Sequence, residues 1–326
     1  MTLPFVRVLA MGGTIATAGP AGDGAAGGGL VPSLGADALI DAVPQLRDIA
    51  RIEARQFRQV PSPHLVLDDI IELARGIVAD PMPTVITQGT DNIEETAFAL
   101  ECLLHRPMPV VVTGAMRNPT LPGADGPANL LAAVQAAIDP GSAESGVLVA
   151  FNDELHGARF VAKSNSALPS AFASPQSGRL AQVVEGRVHW FQRVDGLPAF
   201  DPDGLAESAR VPLWWVTLGD DGELLETLAE RIDGLVVAAM GGGHVPPPMA
   251  ERLGELARRM PVVIASRSGS GPVLRSTYGF VGGEIDLARR GLANAGWLAP
   301  LKARLLLQLG LMAGRSDIRR LFEPFS

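Results

Sequence analysis

Hydroxyls, one carboxylate and one amine sit beside glycines at the ends of apolar runs in this chain, a set of groups suited to nucleophilic chemistry. Gly12-Gly13-Thr14 follows the run Val6–Met11, and Gln88-Gly89-Thr90-Asp91 follows Thr84–Thr87. Gly114-Ala115-Met116-Arg117 follows Val110–Thr113, and Asp153-Glu154 follows Val147–Asn152, with Lys163 soon after. No histidine cluster accompanies them. A threonine hydroxyl is a weak nucleophile at neutral pH and needs a base or a strong field to react. Lys163 can supply the base as a neutral amine if desolvated, because burial lowers a lysine pKa. Asp91 can orient that lysine or hold a substrate ammonium, and backbone N–H groups of the glycine turns can stabilise an oxyanion. Each residue also has a plain structural reading. Gly12-Gly13 fits a tight turn, and Thr14 a hydroxyl satisfied by backbone. Asp91 with Glu94 fits a helix capping box, and Lys163 a solvated surface residue.

Such a set works only if the fold brings the ends of the runs together. The four runs are continuous and apolar, which predicts buried strands of a parallel sheet. Asp68–Ile77, Asn92–Leu104 and Asn129–Ala137 carry the 3.6-residue period of covering helices. This alternation predicts an α/β domain with helices on both faces, where ligands bind beyond the carboxyl ends of the strands. A Pro-, Gly- and Asp-rich stretch, Asp195–Arg210, reads as a linker. Beyond it, Val211–Thr217, Gly234–Ala239 and Pro261–Ala265 repeat the strand pattern. The expected organisation is two α/β domains: a larger N-terminal, catalytic, parallel-sheet domain over 1–194, a linker over 195–210, and a smaller C-terminal domain over 211–326. A length of 326 residues suits two domains of roughly 100–200 each.

Composition narrows the function further. With 47% apolar and 19% charged residues, the chain can bury a core. The lone cysteine, Cys102, can form neither an intrachain disulfide nor a thiolate metal cage. Its spacing to His105 is compatible with a metal on a helix, but no third ligand follows, so core packing is expected. His64, His156 and His189 share no ligand spacing, and no metal site is expected. A net charge of −8 and the lack of a long basic run argue against a nucleic-acid partner. No apolar run approaches the ~20 residues of a membrane span, so no membrane association is expected. The opening segment lacks a basic region and a cleavage site, from which a cytoplasmic location is expected. Ala18–Gly29 reads as a mobile glycine-rich loop. Within it Gly22, Gly24 and Gly27 spell GxGxxG in mid-loop, where no strand precedes and no helix follows, which excludes a dinucleotide site.

The motifs taken together resemble those of the bacterial-type L-asparaginases and glutaminase-asparaginases. Met11-Gly-Gly-Thr-Ile-Ala16 is similar to that family's first signature, and Thr87-Gln-Gly-Thr-Asp-Asn-Ile-Glu-Glu-Thr96 to its second. Thr113-Gly-Ala-Met-Arg117, Ala124-Asp-Gly-Pro-Ala-Asn-Leu130, Phe151–Phe160 and the stretch Leu298–Leu309 follow in family order. The resemblance implies Thr14 as the nucleophile on a side-chain carboxamide, with Thr90, Asp91 and Lys163 as a second catalytic group. It implies Ser62, in Val60-Pro-Ser-Pro-His64, at the substrate α-carboxylate, Asp91 also at the α-ammonium, and the Ala115 backbone at the carboxamide. Gly13 and Gly89 would line the site through their turns. It further implies a homodimer or homotetramer with sites at subunit interfaces, Glu284 and His244 reaching the site of a neighbouring copy. The implied substrate is a small amino-acid amide and no cofactor is implied. L-Asparagine comes first and L-glutamine second, since one methylene gives only ~1–3 kcal/mol of discrimination; D-amino-acid amides and peptide asparagine stay open.

Two departures from the family pattern stand out. Pro63 replaces a glutamine that follows the carboxylate-binding serine in close relatives. The stretch Gly27–Leu34, where the family's active-site lid has a tyrosine, has none. The chain's one tyrosine, Tyr278, aligns with no lid residue, and a neighbouring subunit's Tyr278 is one substitute. Two rival roles follow: a non-catalytic amino-acid-binding sensor, and the amidase subunit of a transamidation complex.

Overall fold

Each central strand forms where an apolar run is buried on both faces, which removes any need for alternation. The computed structural model describes residues 2–17, 32–105, 108–194, 196–197, 199–206 and 208–326. The expected loop Ala18–Gly29, its glycine spelling and most of the lid stretch fall outside these residues. Two compact units divide the chain, Met1–Pro202 and Asp203–Ser326. The division falls inside the stretch read as a linker.

In the first unit the strands are β1 (Phe5–Gly12), β2 (Arg51–Val60), β3 (Thr84–Thr87), β4 (Val110–Thr113), β5 (Val147–Phe151), β6 (Glu154–Gly157), β7 (Ala162–Lys163), β8 (Phe172–Ala173), β9 (Ala181–Val184) and β10 (Arg187–Trp190). Its helices are α1 (Ala36–Asp41), α2 (Leu46–Ile49), α3 (Leu67–Ala79), α4 (Ile93–Leu103) and α5 (Gly126–Ile138). The main sheet runs β10-β9-β6-β5-β4-β3-β1-β2, and β7 pairs with β8 in a separate ribbon. Strands β2, β1, β3, β4 and β5 are parallel to one another. Strands β6, β9 and β10 extend the sheet in antiparallel fashion. The sheet is therefore mixed, broader than the purely parallel one expected. Asn152 and Asp153 both adopt positive φ (52° and 59°), the pairing of a tight primed turn that reverses β5 into β6. Asp153 and Glu154, grouped with the candidate site in the sequence, are thus hairpin residues.

Helix α3 buries Ile70, Ile71, Leu73, Ala74 and Ile77 on one stripe. Helix α4 is buried nearly all round, and Glu101 within it is stabilised by accepting the Val147 N–H at 2.6 Å. Cys102 is 1% exposed, and burial pushes its thiol pKa up, as expected of a core residue. His105 lies beyond the end of α4. The core of this unit gathers Val8, Ala10, Val85, Val111, Leu148 and the inner face of α5.

The second unit contains β11 (Leu213–Trp215), β12 (Leu235–Ala239), β13 (Val262–Ser266) and β14 (Ala293–Asn294), in that order and all parallel. Around them are α6 (Glu223–Leu228), α7 (Pro247–Ala257), α8 (Glu284–Arg289), α9 (Pro300–Met312) and α10 (Ile318–Leu321). Val237, Ala239, Ile264, Met249 and Leu253 make its core. No helix among the described residues is long and apolar enough to cross a membrane.

Candidate active site

Four neighbouring parallel strands, in the order β2-β1-β3-β4, end at the same edge of the first unit's sheet. Ser62 follows β2, Thr14 follows β1, Thr90 and Asp91 follow β3, and Ala115 follows β4. Parallel alignment thus brings residues from far apart in sequence to one place, the usual location of ligands in such sheets.

Glycine lets the turns approach one another. Gly12 and Gly13 have φ of 98° and 83°, the left-handed region that other residues avoid. A Cβ on Gly13 would lie 2.0 Å from the Gly89 nitrogen and 2.2 Å from its Cα. A Cβ on Gly89 would lie 2.6 Å from Ser62 Oγ. Backbone contact between these turns seats Thr14 beside the Thr90 turn. Thr14 opens a 3-10 turn, Thr14–Ala16, whose first carbonyl accepts the Thr17 N–H and hydroxyl at 3.2 and 2.8 Å. Ile15 and Ala16 are buried beneath it.

Lys163 arrives on β7, and its Nζ donates to Thr90 Oγ1 at 2.9 Å and to Asp91 Oδ1 at 2.7 Å. The Lys163 side chain is 15% exposed, whereas Asp91 is 61% exposed. The lysine is thus enclosed and committed to its two partners, and the carboxylate stays open to solvent or substrate. Ser62 Oγ lies 3.4 Å from Asp91 Oδ2 and accepts the Asp91 N–H at 3.3 Å. Asp91 belongs to a 3-10 turn, Thr90–Asn92, and Asn92 holds the N-cap position of α4 with no side-chain cap bond. The capping-box reading of Asp91 and Glu94 is therefore replaced, and the Asp91 carboxylate serves Lys163 instead.

Ala115 is 1% exposed, and its turn is fixed by Asp125. The two Asp125 oxygens accept the N–H groups of Met116 (3.0 Å) and Arg117 (2.8 Å). Asn129 donates to the Gly114 carbonyl at 3.0 Å. Asp125 and Asn129 were visible only as part of a motif, because their partners lie eight to fifteen residues away across a turn.

His244 and Glu284 form a cluster of their own in the second unit, 3.2 Å apart between Nε2 and Oε2. Glu284 Oε1 accepts the N–H groups of Thr277 and Tyr278, each at 2.7 Å. Burial pulls its pKa up, but these backbone donors and His244 outweigh it and leave the carboxyl below its ordinary value. His244 packs edge-on against Tyr278 (5.0 Å) and Phe280 (5.2 Å), and both aromatics are about half exposed. No group of three or more His, Cys, Asp or Glu placed to hold a metal occurs among the described residues.

Comparison with known proteins fits this geometry. Residues 5–195 match the family model "Asparaginase, N-terminal", and residues 210–322 match "Glutaminase/Asparaginase C-terminal domain". The chain belongs to the asparaginase family. A probable L-asparaginase of Deinococcus radiodurans is 37% identical to this family member, covering 98% of each chain. A probable periplasmic L-asparaginase of Haemophilus influenzae is 34% identical over 99% of this chain and 93% of its own. Among solved structures, the crystal structure of a probable cytoplasmic L-asparaginase from Campylobacter jejuni superposes with a TM-score of 0.86 at 32% identity. It covers 98% of this asparaginase-family chain and 99% of its own.

Proposed function

We propose that this chain hydrolyses the side-chain amide of L-asparagine to L-aspartate and ammonia through an ester on Thr14, with L-glutamine as a slower second substrate. The observation that carries this reading is the Lys163 contact to both Thr90 and Asp91 beside the Gly13-Thr14 turn. Thr14 Oγ adds to the carboxamide carbon, and its proton passes to the amide nitrogen, which departs as ammonia. Water then adds to the ester, the Oγ–acyl bond breaks, and a proton returns to Thr14 as aspartate leaves. An amide is a sluggish electrophile, so both steps depend on held reactants and a stabilised oxyanion. Backbone N–H groups of the Gly13 and Gly89 turns supply the oxyanion stabilisation.

Lys163 donates to the Thr90 oxygen, which leaves the Thr90 proton free to be donated and makes that hydroxyl a better acid. Asp91 holds the substrate ammonium with the carboxylate oxygen that faces Ser62 at 3.4 Å, while the other stays on Lys163. Ser62 holds the α-carboxylate, and the Ala115 carbonyl accepts from the carboxamide. The half-exposed aromatics beside His244 and Glu284 are the surface expected of a copy-to-copy contact. We assign the loop that these two residues hold in shape to the rim of a neighbouring copy's site in a homodimer or homotetramer that works in the cytoplasm.

Ammonia release from purified protein tests the reading, with L-asparagine, L-glutamine, D-asparagine and succinamate in parallel. Release from L-asparagine alone or foremost is the expected outcome. Heat protection by aspartate without ammonia from any amide would replace the enzyme with a sensor. Ammonia only on addition of a partner protein would make it a transamidation subunit.

A further inference from the structure

The Ser62 hydroxyl is engaged by Asp91, and the Ser62 carbonyl, which takes the Leu65 N–H at 3.1 Å within its own turn, is tied to the Thr90 turn by a second side chain. Asn92 Nδ2 donates to the Ser62 carbonyl at 2.7 Å, and Asn92 Oδ1 accepts from Gln88 Nε2 at 3.0 Å. Gln88 Nε2 also reaches the Gly89 carbonyl at 3.3 Å. Gln88 is fully buried, and its Oε1 has no hydrogen-bond partner.

The polarity of this relay is fixed from one end. A backbone carbonyl can only accept, so Asn92 must turn its NH2 toward Ser62. Its oxygen then faces Gln88, which must in turn present its own NH2. Gln88 Oε1 is left without a partner as the consequence of that polarity. The local backbone gives the relay a task. Ser62 precedes Pro63 yet begins the 3-10 turn Ser62–His64, and residues before proline disfavour helical conformations. A hold on the Ser62 carbonyl opposes that preference and fixes the backbone that carries the Ser62 hydroxyl.

We infer that Asn92, supported by Gln88, is a positioning residue for Ser62 that sets recognition of the substrate α-carboxylate. The inference rests on the assignment of Ser62 to that carboxylate. Asn92 touches no reacting atom, so it acts on binding and leaves the chemical step alone.

Steady-state kinetics on L-asparagine and on 3-aminopropanamide, which keeps the amine and the amide but lacks the carboxylate, separate the possibilities. Asn92→Ala is expected to raise KM for L-asparagine roughly tenfold, the worth of one buried hydrogen bond, with kcat within about twofold. Its kcat/KM on 3-aminopropanamide should stay at the parent value. Asn92→Asp keeps the shape but cannot donate; it should show the same selective loss and carries the test if the alanine variant does not fold. Gln88→Met should weaken KM by about threefold in the same selective way. An equal loss on both substrates would reduce Asn92 to general support of the fold and overturn the inference, as would an unchanged KM. Ser62→Ala separates the two levels. If it loses the carboxylate preference and Asn92→Ala does not, the positioning role alone fails. If Ser62→Ala keeps that preference, the Ser62 assignment fails and the inference falls with it.

Discussion

Asp91 and Glu284 are both carboxylates read from the sequence as site residues, and the structure employs them in opposite ways. The Glu284 side chain is 2% exposed, with one oxygen on two backbone N–H groups and the other on His244. Asp91 is 61% exposed, with one oxygen on Lys163 and the other only loosely engaged by Ser62. A saturated carboxylate holds a loop in shape, whereas one with spare acceptor capacity is available to a ligand. The difference separates a part of the molecule built for chemistry from a part built to present a surface.

The strongest way to break that contrast is at the nucleophile. Thr14→Ala should lower ammonia release by at least about a thousandfold, with the melting temperature and aspartate binding retained. Substantial residual turnover would move the nucleophile elsewhere. Next, Lys163→Met should cost roughly a hundredfold in kcat with little change in melting, because the group serves proton positioning more than packing. Glu284→Ala should do the converse to the fold. Stripping the acceptor from the Thr277 and Tyr278 N–H groups costs about 1–3 kcal/mol, read as a lower melting temperature. Equal stability losses at positions 163 and 284 would erase the distinction drawn above.

A smaller effect concerns His156, which is 2% exposed. Burial lowers its pKa, and Nδ1 bonds Ser174 Oγ at 3.0 Å. Its Nε2 lies 3.5 Å from Glu154 Oε2 without hydrogen-bond alignment. The native state therefore holds this ring neutral. Its stabilisation is full above the unfolded value of about 6.5 and is lost as pH falls from there to the folded pKa. Melting measured against pH should decline through that window, ahead of the losses at lower pH when Glu284 and Asp286, both depressed, take up protons. His156→Asn keeps a donor toward Ser174 and should flatten the first decline. The smallest expected effect is at Tyr278, where replacement by Phe should leave turnover within about twofold. Its ring packs on His244 and Phe280 whether or not the hydroxyl is present, so a larger loss would assign the hydroxyl to a neighbouring copy's chemistry.

The central strands and helices were legible because their burial is complete. Thr84–Thr87 and Val110–Thr113 are continuous apolar or β-branched runs, and the structure gives them the same bounds. Strand β2 was missed: Arg51–Val60 carries charges on both faces, as an edge strand can, and no periodicity marks it. Strands β6, β9 and β10 join the sheet through two tight turns, Asn152-Asp153 and Glu185-Gly186, and one long connection from β6 to β9, whose distant register leaves little local trace. Asn92 carries no local signal of its role, because that role exists only once its Nδ2 stands 2.7 Å from the Ser62 carbonyl.

By itself, the sequence determined residue chemistry and local form: which runs are apolar enough to be buried, where glycine permits a turn, and which hydroxyls, amines and carboxylates stand at strand ends. Tertiary structure alone decided which of them meet. Lys163 is more than seventy residues from Thr90, and Ser62 is 29 from Asp91. Parallel pairing of β2, β1, β3 and β4, with backbone contact at Gly13 and Gly89, closes those separations. Hydrogen bonds act over about 3 Å, so the division between Asp91 as an open carboxylate and Glu284 as a saturated one could be made only by the folded chain.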